Sequence, residues 1–160
     1  MNRYVLADTG FVITLLVKTR PHHETAKQYF KYFLDHEHIL YFSTIGIAEY
    51  CHKGTIDELP LKQLITLPFN AIHAVKTAEL NFKAHRVESD ARDAVKDDFK
   101  MIAQAVVEQC GFIITEDRNT LAKYSDRLRE EGKLDARVII LEDGYDEALV
   151  NPENQRYLDI

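Results

Sequence analysis

Apolar residues follow two rhythms along this chain. Tyr4-Val5-Leu6-Ala7, Ile39-Leu40-Tyr41-Phe42 and Phe112-Ile113-Ile114-Thr115 are short runs without alternation, and residues 137–141 form another. Such runs read as strands covered on both faces, the habit of parallel sheets flanked by helices. Between them, apolar residues recur at intervals of three and four. Residues 9–17 predict a buried first helix capped by Asp8 or Thr9, and Arg20-Pro21 stops it. Pro21 opens a second helix over 22–35, with Ala26, Tyr29, Phe30 and Phe33 as its core stripe. Ser43-Thr44 caps a third helix over 45–53 that Gly54 ends, and a short helical stretch is expected after Pro60. Residues 69–73 predict a strand, 74–86 a helix, and the charged stretch 87–96 a surface loop. The clearest helix covers 97–110, with Phe99, Ile102, Ala103, Val106 and Cys110 on one stripe and Gly111 closing it. A helix over 119–130, stopped by Gly132, leads to the last strand.

Strand and helix therefore alternate. The right-handed crossover rule then lays the strands parallel, so all their carboxyl ends open on one edge. The expectation is an α/β fold around a central, mainly parallel sheet of about five strands. It forms one domain over 1–150, with a polar tail over 151–160 that carries no assignment. At 160 residues the chain buries a core without disulfides or a structural metal. The longest apolar stretch, 11–17, is too short to span a bilayer, and no signal peptide is expected before a strand that starts almost at residue 1. Cys51 and Cys110 have no partner at metal-ligand spacing and read as buried thiols in a reducing, cytoplasmic compartment. A formal charge of −6 excludes a protein that coats nucleic acid through bulk positive charge, while leaving room for local phosphate contacts.

Charge becomes informative where it meets the strand ends. The first strand ends in Asp8 and the run 112–115 ends in Glu116-Asp117, which places Asp8 and Asp117 on the same sheet edge. Glu49 shares a stripe with Ile45, Ala48 and His52 and is expected to project inward. Asp98 aligns with Met101, Ile102 and Ala105, whereas Asp97 runs with Lys100, Gln104 and Glu108 on a polar stripe, so Asp98 is the inward acid. Four converging carboxylates repel one another unless cations or protons intervene. Hard divalent ions suit such an all-oxygen site, and a pair of them clamps both oxygens of an in-line phosphodiester displacement.

Four segments together resemble the PIN domain family: Val5-Leu6-Ala7-Asp8-Thr9, Ser43-Thr44-Ile45-Gly46-Ile47-Ala48-Glu49, 97–105 and Phe112-Ile113-Ile114-Thr115-Glu116-Asp117. The resemblance spans residue 4 to about residue 141, in order and at matching spacing. It implies a three-layer α/β/α sandwich and a Mg²⁺- or Mn²⁺-dependent endoribonuclease. Asp8, Glu49, Asp98 and Asp117 match the family's metal-binding catalytic acids, with Thr9 and Thr115 as the hydroxyls beside them. Asn119 stands where many relatives carry a further carboxylate. Many small bacterial members are VapC-like toxins restrained by an antitoxin protein, so RNA, an antitoxin and a homodimer are the partners the resemblance suggests.

Each acid taken singly has a plainer reading: a helix cap for Asp8 and Asp117, a surface pair with His52 or Lys53 for Glu49, compensation of the helix dipole for Asp98. What those readings leave unexplained is why all four point at one edge. Asp8-Thr9-Gly10 also resembles the aspartic-protease triplet, but those enzymes are all-β. A phosphatase with an aspartate nucleophile would want a second aspartate two residues on, and position 10 is glycine. A non-catalytic PIN-like module that binds RNA or protein is the alternative of a different class. Lys83, Arg86, Arg92, Lys96, Lys100 and Arg118 lie near the acids in sequence, and of these Lys100 and Arg118 are the candidates for holding RNA phosphates. The seven histidines form no metal-binding array, and any exposed part of the aromatic second helix is a candidate surface for a partner protein.

Overall fold

The computed structural model describes residues 3–151, so the tail over 152–160 lies outside the described residues. Five strands, β1 (Tyr4–Ala7), β2 (Ile39–Ser43), β3 (Leu64–Leu67), β4 (Phe112–Thr115) and β5 (Arg137–Ile140), form one sheet. Their order is β3-β2-β1-β4-β5, and every neighbouring pair is parallel. The helices are α1 (Thr9–Leu16), α2 (His23–Asp35), α3 (Thr44–Tyr50), α4 (Ala71–Leu80), α5 (Phe82–His85), α6 (Arg92–Val107) and α7 (Leu121–Glu130).

Alternate residues of the central strands feed two separate cores. Val5, Ala7, Phe112 and Ile114 pack with Phe11 and Val12 of α1 and Tyr29 and Phe33 of α2. Leu6 and Ile113 pack on the opposite face with Phe99 and Ile102 of α6 and Tyr124 and Leu128 of α7. The sheet is thus covered on both faces, which is the three-layer α/β/α arrangement and the reason β1 and β4 carry no polar residue until they end. After β5 the chain returns over α2: Tyr29 and Tyr145 pack edge to face, and the Tyr32 hydroxyl donates to the Val150 carbonyl. The aromatic face of α2 is therefore filled largely from within, with Phe30 half-buried and Leu34 exposed. Among the described residues, no helix is long and apolar enough to cross a membrane.

Several elements depart from the sequence expectations. The strand expected at 69–73 is instead β3, which begins five residues earlier. As an edge strand it leaves Ile65 and Thr66 exposed, so its run is broken by a polar residue and cut short by Pro68. Residues 69–73 hold the start of α4, where the Asn70 side chain accepts the Ile72 and His73 N–H groups. The single helix expected over 74–86 is α4 and α5, parted by Asn81 in the left-handed region (φ 55). The helical stretch expected after Pro60 is a 3₁₀ turn before it, Ile56–Glu58, held by Glu58 accepting the Thr55 N–H.

Part of the surface loop expected at 87–96 is helical, because α6 begins at Arg92 and buries Val95. Gln109, not Gly111, takes the left-handed position after α6 (φ 54), and Gly111 instead donates its N–H to Tyr4 of β1. The stripe containing Gln104 and Glu108 is not a solvated one. Gln104 is fully buried and donates to the Leu67 carbonyl, while Glu108 meets the buried His73 at 2.9 Å. His73 Nδ1 accepts the Asn70 N–H, which leaves its proton on Nε2 to donate to Glu108. Cys51 is exposed rather than buried; only Cys110 is buried, and burial pushes its thiol up to about 12.

Candidate functional site

Order and connectivity decide where a site forms. The chain winds from β1 outward to β3 and then returns to place β4 on the other side of β1, so the crossovers diverge at the β1–β4 pair. Beyond the carboxyl ends of these two strands lies a cleft of about 260 Å³, the usual ligand position in open parallel sheets. Asp8, Gly10, Glu49, Ala94, Asp98, Thr115, Glu116, Asp117 and Thr120 line it. The four acids singled out in the sequence are all among them, from four different elements.

Asp8 is the most deeply held. Its N–H donates to Ile114, extending the β1–β4 ladder by one residue; Oδ1 accepts the Thr9 N–H at 2.7 Å and Oδ2 the Thr115 hydroxyl at 2.7 Å. The same residue is thus the cap of α1 and a wall of the cleft, so the plain and the chemical readings of Asp8 are compatible. Glu49 enters from the short helix α3. Its stripe is less apolar than expected, with Ala48 and His52 exposed, yet its Oε2 accepts the Thr9 hydroxyl at 2.5 Å. Gly46 permits this approach, since a Cβ there would stand 2.4 Å from the Phe42 ring and 3.0 Å from Thr9 Oγ1. Asp98 projects from the N-terminal half of α6, and Asp117 follows β4, where its Oδ1 accepts the Asn119 N–H at 2.8 Å.

Electrostatics show how crowded these charges are. Burial pushes Asp98 up to about 8, with the charges of Asp8, Glu49, Asp97 and Asp90 adding to it. Burial likewise pushes Asp8 up to about 6, against the lowering effect of the Thr115 hydroxyl, and the Glu49 and Asp117 charges raise it further. Glu49 is also raised, by burial first and by Asp97, while its Thr9 hydrogen bond opposes the shift.

Among the described residues, no three acidic, histidine or cysteine side chains form a ready-made metal cage. The donor set is nonetheless the one that Mg²⁺ and Mn²⁺ take: carboxylates only, in a polar cleft with room for water and phosphate. Such ions commonly use one or two carboxylates and keep several waters. The raised acids point the same way, because a cation is what would let them ionise together.

Three residues of the neighbourhood escaped sequence reading. Glu116 is a fifth acid of the cleft, and Arg20 holds it through Nη2, at 2.9 and 2.8 Å from its two oxygens. Nothing in the order of residues links positions so far apart. Ala94 lines the cleft because α6 starts earlier than its polarity suggests. The two cations proposed to hold RNA do not line the cleft: Lys100 meets Asp97 at 3.2 Å, and Arg118 pairs with Asp143.

No family model matches the sequence, and no curated protein matches it. Solved structures do match in fold. A chain of VapBC2 from Rickettsia felis, bound to a DNA fragment from its promoter, superposes with a TM-score of 0.59 at 14% identity, covering 84% of this chain and 98% of that one. A chain of FitAB bound to the IR36 DNA fragment gives 0.53 at 18% identity, covering 86% and 94%. A chain of DNA-bound VapBC from Salmonella typhimurium gives 0.51 at 16% identity, covering 88% and 99%. At these identities the likeness is one of fold, and it extends over nearly the whole of each matched chain.

Proposed function

We propose that this protein is a Mg²⁺- or Mn²⁺-dependent endoribonuclease. The observation that carries the reading is the convergence of Asp8, Glu49, Asp98 and Asp117, from the ends of β1 and β4 and from α3 and α6, on one cleft where burial and mutual repulsion raise Asp8 and Asp98. When bound, the ion supplies Lewis-acid polarisation of a phosphate and an acidified water. The four acids are the residues that would hold it. Thr115 and Thr9 fix the orientation of Asp8 and Glu49 by donating their hydroxyls, so neither carboxylate has to be ordered when the ion arrives. Asp98, raised by burial to about 8, is the acid that would have to release a proton to take part in holding the ion.

The choice of RNA rests on the PIN resemblance of the same four segments. We further propose that the protein is the toxin of a VapBC-like pair, restrained by an antitoxin protein. The fold it shares with chains of VapBC and FitAB structures supports that reading. Cleavage of labelled RNA by the purified protein tests the activity. Cleavage is expected with Mn²⁺, none with EDTA, and a loss of about 10²-fold or more in Asp98→Asn. Cleavage that survives EDTA, or full activity in Asp98→Asn, refutes the mechanism. An intact, folded protein that binds RNA with Mn²⁺ but never cuts it is instead the non-catalytic module.

A further inference from the structure

An arginine is tied to the acid cleft through Glu116, in an arrangement that internal packing does not explain. Arg20 lies in the turn between α1 and α2 and reaches Glu116, 96 residues away, with Nη2 alone contacting both carboxylate oxygens. An arginine placed only to tie two segments together typically presents two nitrogens in parallel to the two oxygens. Here Nε is buried without a partner, and among the described residues Nη1 makes no hydrogen bond to the protein.

Glu116, in turn, is pressed against the first turn of α1. A Cβ on Gly10 would lie 3.2 Å from Glu116 Cβ, 3.3 Å from its Oε2 and 3.9 Å from Asp8 Oδ2. The arginine is therefore held by the cleft acid whose side chain lies closest to Gly10. Lys100 and Arg118 are paired away from the cleft, with Asp97 and Asp143.

We infer that Arg20, held by Glu116, grips a backbone phosphate of the RNA next to the one being cut. The inference rests on the ribonuclease reading and adds to it a substrate contact and the residue that positions it. A polyanion entering this acid-lined cleft meets repulsion that bound Mg²⁺ or Mn²⁺ would offset chiefly at the scissile phosphate. A neighbouring phosphate needs its own cation, and a guanidinium with an unused nitrogen is suited to that task. Glu116 acts through Arg20: its charge keeps the guanidinium at the cleft mouth and spares the metal-holding acids a fifth repulsive neighbour.

The test is binding of a fluorescein-labelled, random-sequence single-stranded RNA, followed by anisotropy with Ca²⁺ in place of Mn²⁺ and repeated across a KCl series. Cleavage with Mn²⁺ is measured in parallel. Arg20→Gln is expected to weaken binding about tenfold and to lower the salt slope by about 0.7, the value for one phosphate contact on a single strand. Arg20→Lys recovers most of the affinity and the slope. Glu116→Gln weakens binding several-fold through loss of positioning. Should Arg20→Gln melt at the assay temperature, the neutral pair Arg20→Gln/Glu116→Gln replaces it and is expected to show the same loss.

Wild-type affinity and slope in Arg20→Gln, or in the neutral pair, overturn the inference and leave Arg20–Glu116 a tie between segments. Wild-type protein that binds RNA without cutting it, with Arg20→Gln still weakened, refutes the ribonuclease reading while the phosphate contact stands. Wild-type protein that binds no RNA overturns both.

Discussion

Asp98 and Asp8 carry the sharpest physical consequence of the site. Both hold protons more tightly in the folded chain than an ordinary aspartate does, with Asp98 raised from 3.8 to about 8 and Asp8 from 3.8 to about 6. Between about pH 4 and about pH 8 the folded state therefore retains protons that the unfolded state has released, and stability falls as pH rises through that window. In EDTA the melting temperature is expected to drop from about pH 5 to about pH 8. Asp98→Asn should flatten the drop and raise the melting temperature at the upper end by a few degrees. A melting temperature that climbs over that range contradicts the crowding of the acids. Thr9 gives a second test at this scale. Thr9→Val removes the hydroxyl that Glu49 accepts at 2.5 Å, and Mn²⁺-dependent cleavage is expected to fall about tenfold with little change in fold. Circular dichroism and activity on the same preparation check both halves of that statement. Asp8, Asp117 and Asp98 were legible in the sequence because they end a buried run or share a stripe with buried residues; Glu49 was legible only from the apolar character of Ile45 and Ala48, which the fold leaves half-buried and exposed. Arg20 and Glu116 were not, since their pairing depends on a turn between α1 and α2 whose geometry no periodicity encodes.

At the scale of elements, what positions the site is tight packing between short pieces. The seven-residue helix α3 brings Glu49 to the cleft only because Gly46 lets it lie against Phe42 and Thr9. Gly46→Ala drives a methyl group into the Phe42 ring and is expected to cost about 1–3 kcal/mol, read as a lower urea midpoint. The same substitution presses on Thr9 and should reduce cleavage beyond what the lost stability explains. Strands buried on both faces, β1, β2 and β4, announced themselves as continuous apolar runs. β3 did not, because an edge strand is covered less fully and its Ile65 and Thr66 face outward. The early start of α6 was hidden for a related reason: its first turns are mostly exposed and charged, and only Val95 turns into the core. Polarity marks exposure, and exposure belongs to helix starts as well as loops.

For the molecule as a whole, alternation of strand and helix was enough to fix parallel strands and a common edge, while the strand order β3-β2-β1-β4-β5 explains why the β1–β4 junction holds the cleft. The net charge of −6 takes on a local meaning there, since part of the acidic excess is gathered where a divalent cation would offset it. Calorimetric titration with Mn²⁺ near pH 7, in buffers of differing ionisation enthalpy, measures that demand for a cation. Saturable binding accompanied by net proton release is expected, with Asp98 as the principal source, and strong weakening of binding in Asp8→Asn and Glu49→Gln. Absence of binding, or binding of equal strength with these carboxylates neutralised, would contradict it.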